Sequence, residues 1–217
     1  MASIKDIIQS NSTFLRNVFL TLISQLIITS LVVYVLRDYD QLVQSFYTWW
    51  VQVILFITMI ILIFLMIVPN ISNAIRFVLF TIFSLIFGIL LARLNRVNKT
   101  VLMSALVGTV SVFIVMFFLG ILTIYYKMDL NYLALFLFIC LIMLIISGFI
   151  FMFCGVTSTT YKIYLYIGLV VFALYIMLDT NTMLKYRLKE NNFVAGALSY
   201  YLDIINIFIR LISLSNR

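Results

Sequence analysis

Phe193–Leu214 reads FVAGALSYYLDIINIFIRLISL, with Asp203 and Arg210 as its two charges. As an α-helix at 1.5 Å per residue it is about 33 Å long, enough to cross a hydrocarbon core of about 30 Å. Gly196, Ser199, Asp203, Asn206 and Arg210 recur at spacings of 3, 4, 3 and 4, which places them on one helical face. Leu198, Leu202, Ile204, Ile205, Phe208 and Ile209 occupy the other faces. Lipid cannot satisfy polar groups, so such a stripe must face protein or water. One reading makes the stripe a hydrogen-bond network that fixes helix packing, at about 0.6 kcal/mol per bond in membranes. An ionisable group is an expensive way to obtain that.

The preceding apolar run, Tyr164–Leu178, ends on Asp179, so a second carboxylate lies at membrane depth. Insertion of a carboxylate near a bilayer centre costs roughly 2.5–3.5 kcal/mol on translocation scales. The chain has seven acidic residues in 217, and two at this depth mark where function is concentrated. Tyr175, Asp179 and Thr182 share spacing on this sixth run. The connection to the seventh is short, so the two helices are antiparallel neighbours. Asp179 and Asp203 then fall within about one turn of each other in depth. Two carboxylates brought together away from water cannot both ionise cheaply, and such a pair shares a proton. The chain has no histidine, so a pH response near neutrality has no imidazole to use.

The rest of the sequence repeats the pattern. It is 65% hydrophobic and 10% charged, against about 45–50% and 25% in soluble domains. Charged and polar residues punctuate spans expected over residues 17–36, 47–68, 76–92, 101–125, 130–153, 162–184 and 194–214. Trp49 and Trp50 are placed as interfacial anchors. The whole of residues 1–217 reads as one polytopic membrane domain, all-α, with seven transmembrane helices. The polar first 16 residues do not make a signal peptide, so the first span reads as an uncleaved signal-anchor.

Charge and cysteine have plain readings. The net charge of +7 comes from basic residues scattered at membrane boundaries, which argues against nucleic acid as a partner. With seven full crossings, the 14 basic residues divide seven to seven and orientation is undetermined. A re-entrant last segment would return Arg210 and Arg217 to the inner side, nine against five. Cys140 and Cys154 lie 14 residues apart on one helix, about 21 Å, too far to pair. Asn98-Lys99-Thr100 matches a glycosylation sequon, but its loop hugs the membrane and occupancy is not expected. With no histidine and no nucleophile–base constellation, an enzyme is disfavoured. A retinal receptor is disfavoured too, since no lysine lies in the seventh span.

Two segments carry a family resemblance. Tyr175–Asn181 (YIMLDTN) and Ala197–Phe208 (ALSYYLDIINIF) resemble the closing signatures of the transmembrane Bax inhibitor motif family. The second is the more specific, with leucine-aspartate, two aliphatics and asparagine after a tyrosine-rich lead. Phe14–Val18 (FLRNV) and Ser24–Leu26 (SQL) resemble the opening of its lifeguard and Golgi anti-apoptotic branch. Lys127-Met128-Asp129 resembles that branch's basic–acidic turn. The resemblance runs from about Phe14 to Leu214.

It implies six helices around a central seventh, in the endoplasmic reticulum or Golgi of eukaryotes (viral members included) or a bacterial inner membrane. It also implies a pH-sensitive calcium leak and inhibition of apoptosis. The pH-sensing aspartate pair maps onto Asp179 and Asp203, which would hold calcium transiently as a permeating ion. Ser199, Asn206, Arg210, Tyr175 and Thr182 would support them, and no cofactor is implied. Expected partners are the lipid bilayer, calcium ions and membrane proteins of cell death or calcium handling. Two departures stand out. Phe87 precedes Gly88 where the family often has glutamate, and Val68–Asn73 replaces a basic cluster of some prokaryotic members. Arg210 could supply a substitute charge. At about 10 Å along the helix from Asp203, it is expected instead to snorkel to the interface. A non-conducting anti-apoptotic interaction protein and a proton-coupled transporter remain as alternatives.

Overall fold

The computed structural model describes residues 8–46, 48–69, 71–92, 96–187 and 192–215. Seven helices in it are long and apolar enough to cross a membrane. We label them α1 (Ser12–Val35), α2 (Trp49–Ile67), α3 (Asn73–Leu91), α4 (Lys99–Tyr125), α5 (Asn131–Cys154), α6 (Ser158–Thr182) and α7 (Phe193–Ser215). A 3-10 turn, Leu36–Asp38, and a short helix, Asp40–Ser45, follow α1. A π-helical turn, Met183–Arg187, follows α6. No strand occurs among the described residues. The chain is an all-α, multi-pass membrane protein. The boundary residues Lys5, Tyr47, Asn70, Arg93, Lys189, Glu190 and Arg217 lie outside the described residues.

Helix ends fall where local hydrogen bonds permit, beyond the apolar limits. Thr157 caps α6, its hydroxyl accepting from the Thr160 N–H at 3.3 Å. Ser72 does the same for α3 through the Ile75 N–H. Asn98, read as part of a sequon, is the N-cap of α4. Its Oδ1 accepts from both the backbone N–H and the hydroxyl of Thr100, at 3.2 and 3.1 Å. Each cap satisfies one of the donors that a helix start leaves unpaired. Gly155 ends α5 at φ 66°, a left-handed conformation natural to glycine. Trp49 and Trp50 open α2 and are both exposed. Cys140 and Cys154 are free thiols on α5.

The chain divides into two compact units. One comprises residues 13–97 and 190–201, the other residues 1–12, 98–189 and 202–217. α7 therefore gives its first nine residues to one unit and the remainder to the other.

In the first unit, α1 buries polar as well as apolar side chains and leaves large apolar ones outside, where lipid accepts them. Thr21, Gln25 and Thr29 are buried while Leu20, Ile23, Ile27 and Leu31 are exposed. Gln25 Nε2 donates to the Thr81 hydroxyl on α3 at 3.2 Å. The Thr29 hydroxyl meets the Ser84 carbonyl at 3.2 Å and the Tyr201 hydroxyl at 2.6 Å. The Tyr201 ring packs edge-on against Phe80, Phe83 and Phe87, with centroids 5.3 to 6.0 Å apart. Phe87 thus belongs to an aromatic cluster. Arg76 is buried in the first turn of α3, and its Nη2 donates to the Val68 carbonyl at the end of α2, at 2.9 Å. A cation capping a helix C-terminus offsets its unpaired carbonyls and dipole.

In the second unit, α6 packs against both α4 and α5. Gly120 on α4 brings the backbone close to Thr180 and the Met177 carbonyl. Asn181 Nδ2 donates to the Thr123 hydroxyl at 2.7 Å, which itself donates to the Gly120 carbonyl at 2.6 Å. These bonds fix the end of α6 that carries Asp179.

Candidate functional site: an intramembrane carboxylate pair

α6 and α7 present their acids from positions that helical geometry sets. Asp179 follows Tyr175 by four residues on α6, so the two share a face. Asp203 lies ten residues into α7 and is 5% exposed. Asp179 is half-buried and interacts electrostatically with Asp203. Tyr175 lies in the field of both carboxylates. The structure thus brings Tyr175, Asp179 and Asp203 into one neighbourhood, within a single compact unit.

Asp203 Oδ2 is buried and accepts no hydrogen bond. An acceptor left unsatisfied in a dry site carries a penalty of about 1–3 kcal/mol, more when charged. A shared proton, a water molecule or an oxygen-seeking cation would each relieve it. As calcium ligands, two carboxylates supply part of the six to eight oxygens this ion takes. Among the described residues no group of three or more acidic, histidine or cysteine side chains could hold a metal.

Ser199 and Asn206, on the same stripe as Asp203, bond within their own helix. The Ser199 hydroxyl donates to the Ala195 carbonyl at 3.2 Å, and Asn206 Nδ2 donates to the Leu202 carbonyl at 2.8 Å. Both bond back along their own helix, four residues earlier, as short polar side chains in helices often do. Thr182 is half-buried at the end of α6.

Arg210 corrects the expectation of snorkelling, for it is 7% exposed. Its guanidinium lies over the rings of Tyr164 and Phe172, at 4.9 and 5.2 Å from their centroids. Nη1 donates to the Tyr164 carbonyl at 3.4 Å, and the group fills the space left by Gly168. Cation–π attraction to two desolvated rings outweighs the gain from reaching the interface. Tyr164, Gly168 and Phe172, spaced by four on one face of α6, were the sequence signal for this seat.

A family model described as Inhibitor of apoptosis-promoting Bax1 matches residues 11–216. The chain belongs to this family. Among curated relatives, it is 35% identical to Protein LIFEGUARD 4 of Arabidopsis thaliana over 86 residues, 40% of this chain and 34% of that protein. It is 34% identical to Protein LIFEGUARD 2 of the same plant over 86 residues, 40% of this chain and 36% of that protein. A BI1-like protein of Arabidopsis thaliana is 32% identical over 84 residues, 39% of this chain and 32% of the relative. The aligned stretch therefore spans about a third of each relative's length. The match covers nearly the whole chain, in agreement with the resemblance read from about Phe14 to Leu214.

Proposed function

We propose that this chain forms a pH-sensitive calcium leak pathway in an intracellular or inner membrane, gated by Asp179 and Asp203, and that it restrains cell death. One observation carries the reading: two carboxylates share an electrostatic neighbourhood on membrane-crossing helices, one of them almost wholly buried with an unpaired oxygen. Such acids are costly at this depth and tend to serve ion pathways or proton relays. Ionised, the pair attracts a hard cation. Protonated, it loses that charge and can hydrogen-bond α6 to α7. In a chain without histidine, the pair is the group placed to couple flux to pH. α7 is also the most enclosed span, half of its most apolar window being buried against 11–39% in the other six. That supports α7 as the pathway's axis.

The description of the family supports the cell-death role and also favours a second reading, since it names inhibition and not conduction. In that reading the chain is a non-conducting membrane protein that acts through partners in cell death. Calcium efflux from proteoliposomes across a pH series, comparing the parent with Asp203→Asn, separates the two. The expected outcome is a pH-dependent leak that Asp203→Asn flattens. A parent that releases no calcium at any pH, yet still protects cells from death stimuli, favours the second reading.

A further inference from the structure

We infer that Arg210 is a fixed positive barrier that closes the aspartate pathway toward the C-terminal end of α7. The inference rests on the calcium reading above and adds to it a means of control. Arg210 follows Asp203 by seven residues, two helical turns, and so lies on the same face about 10 Å further along. Ser215, the last residue of α7, is five residues beyond. A cation moving along this face between that end and Asp203 must pass the guanidinium.

The nature of the seat makes it a barrier. Among the described residues no carboxylate pairs with Arg210, whose hydrogen bonding is confined to the Tyr164 carbonyl. Nε is buried and has no acceptor. Tyr164 and Phe172 hold the cation by their ring faces. An aromatic quadrupole attracts a cation but carries no net charge, so the full positive charge persists at this depth. A carboxylate partner would have cancelled it. Gly168 completes the fit, because a Cβ there would collide with Nε, Cζ and Nη1 of Arg210. Weak screening away from water lets one such charge act on an ion two turns away.

The test uses the full chain in proteoliposomes, with initial calcium efflux and the cation-to-anion permeability ratio as readouts. Repulsion between this charge and a divalent ion at about 10 Å, in an effective dielectric of about 20, predicts that Arg210→Met raises efflux on the order of a few hundredfold. The permeability ratio should shift toward cations. Arg210→Lys keeps the charge and should stay close to the parent in both readouts. Gly168→Ala pushes the guanidinium off its rings without removing it, and should give an intermediate rise. Equal changes in Arg210→Met and Arg210→Lys would reveal a packing role and overturn the barrier. So would an Arg210→Met protein that folds and leaks as the parent does. If Arg210→Met does not fold, Gly168→Ala decides, and efflux equal to the parent's overturns the proposal. If neither the parent nor any variant releases calcium, the calcium reading fails and the barrier with it. A conducting parent with an unresponsive Arg210 removes the barrier alone.

Discussion

Asp203 is almost sealed from the surroundings while Asp179 is half-buried, so the two acids are unequally exposed although they interact electrostatically. On the proposed reading, a proton reaching the pair would arrive at the more exposed Asp179 and be shared with Asp203. Groups that titrate as a unit have properties belonging to the pair, and their mutants are strongly non-additive. Asp179→Asn and Asp203→Asn should each abolish the pH dependence of calcium efflux, and the double variant should add little. Additive losses, or a pH profile that survives in either single variant, would sink the shared proton. Stability that changes in both variants while the pH profile stays fixed would return the pair to a packing role.

Among the elements, the α4–α6 contact is the most extensive. A Cβ added to Gly120 would meet the Thr180 side chain at 2.5 Å and the Met177 carbonyl at 2.7 Å. The carbonyl is backbone and cannot swing aside. Gly120→Ala should destabilise the protein by about 1–3 kcal/mol, the usual range for overpacking. Gly108, on the same helix, faces the flexible Leu211 Cδ1 at 3.1 Å. Gly108→Ala should stay within about 1 kcal/mol of the parent, helix propensity offsetting the contact. Denaturation in detergent micelles compares the two, and equal losses would contradict the close approach. Both glycines look alike in the sequence. Apolar runs and boundary charges made the seven helices legible, and helical spacing with a short connection put Asp179 beside Asp203. The seat of Arg210 was harder to read, because it depends on which face of α6 meets α7. The sequon at Asn98 proved to be a cap, since an asparagine before a helix serves both descriptions. Arg76, where the third span was expected to begin, donates to the Val68 carbonyl at the end of α2.

For the whole molecule, the length of α7 bears on the re-entrant alternative. α7 runs unbroken over 23 residues, about 34 Å, enough to cross the hydrocarbon with no re-entrant turn. The start of α1 and the end of α7 should therefore face opposite compartments. Single cysteines at Ser10 and Ser215, in a background lacking Cys140 and Cys154, would be labelled by an impermeant maleimide from opposite sides. Labelling of both from one side would mean that one of the seven spans fails to cross.

The bond between Thr123 and Asn181 joins residues 58 positions apart, and a ribosome reaches them at different times. At roughly 5–20 residues per second, Asn181 emerges about 3–12 s after Thr123. Thr123 can wait in lipid at little cost, because its hydroxyl is already bound to the Gly120 carbonyl of its own helix. Asn181 has two amide hydrogens to place and would be the worse of the two to leave waiting. It enters the membrane last, onto a docking point laid down before it. For this pair, the order along the chain matches the order in which the two polar groups can tolerate being alone.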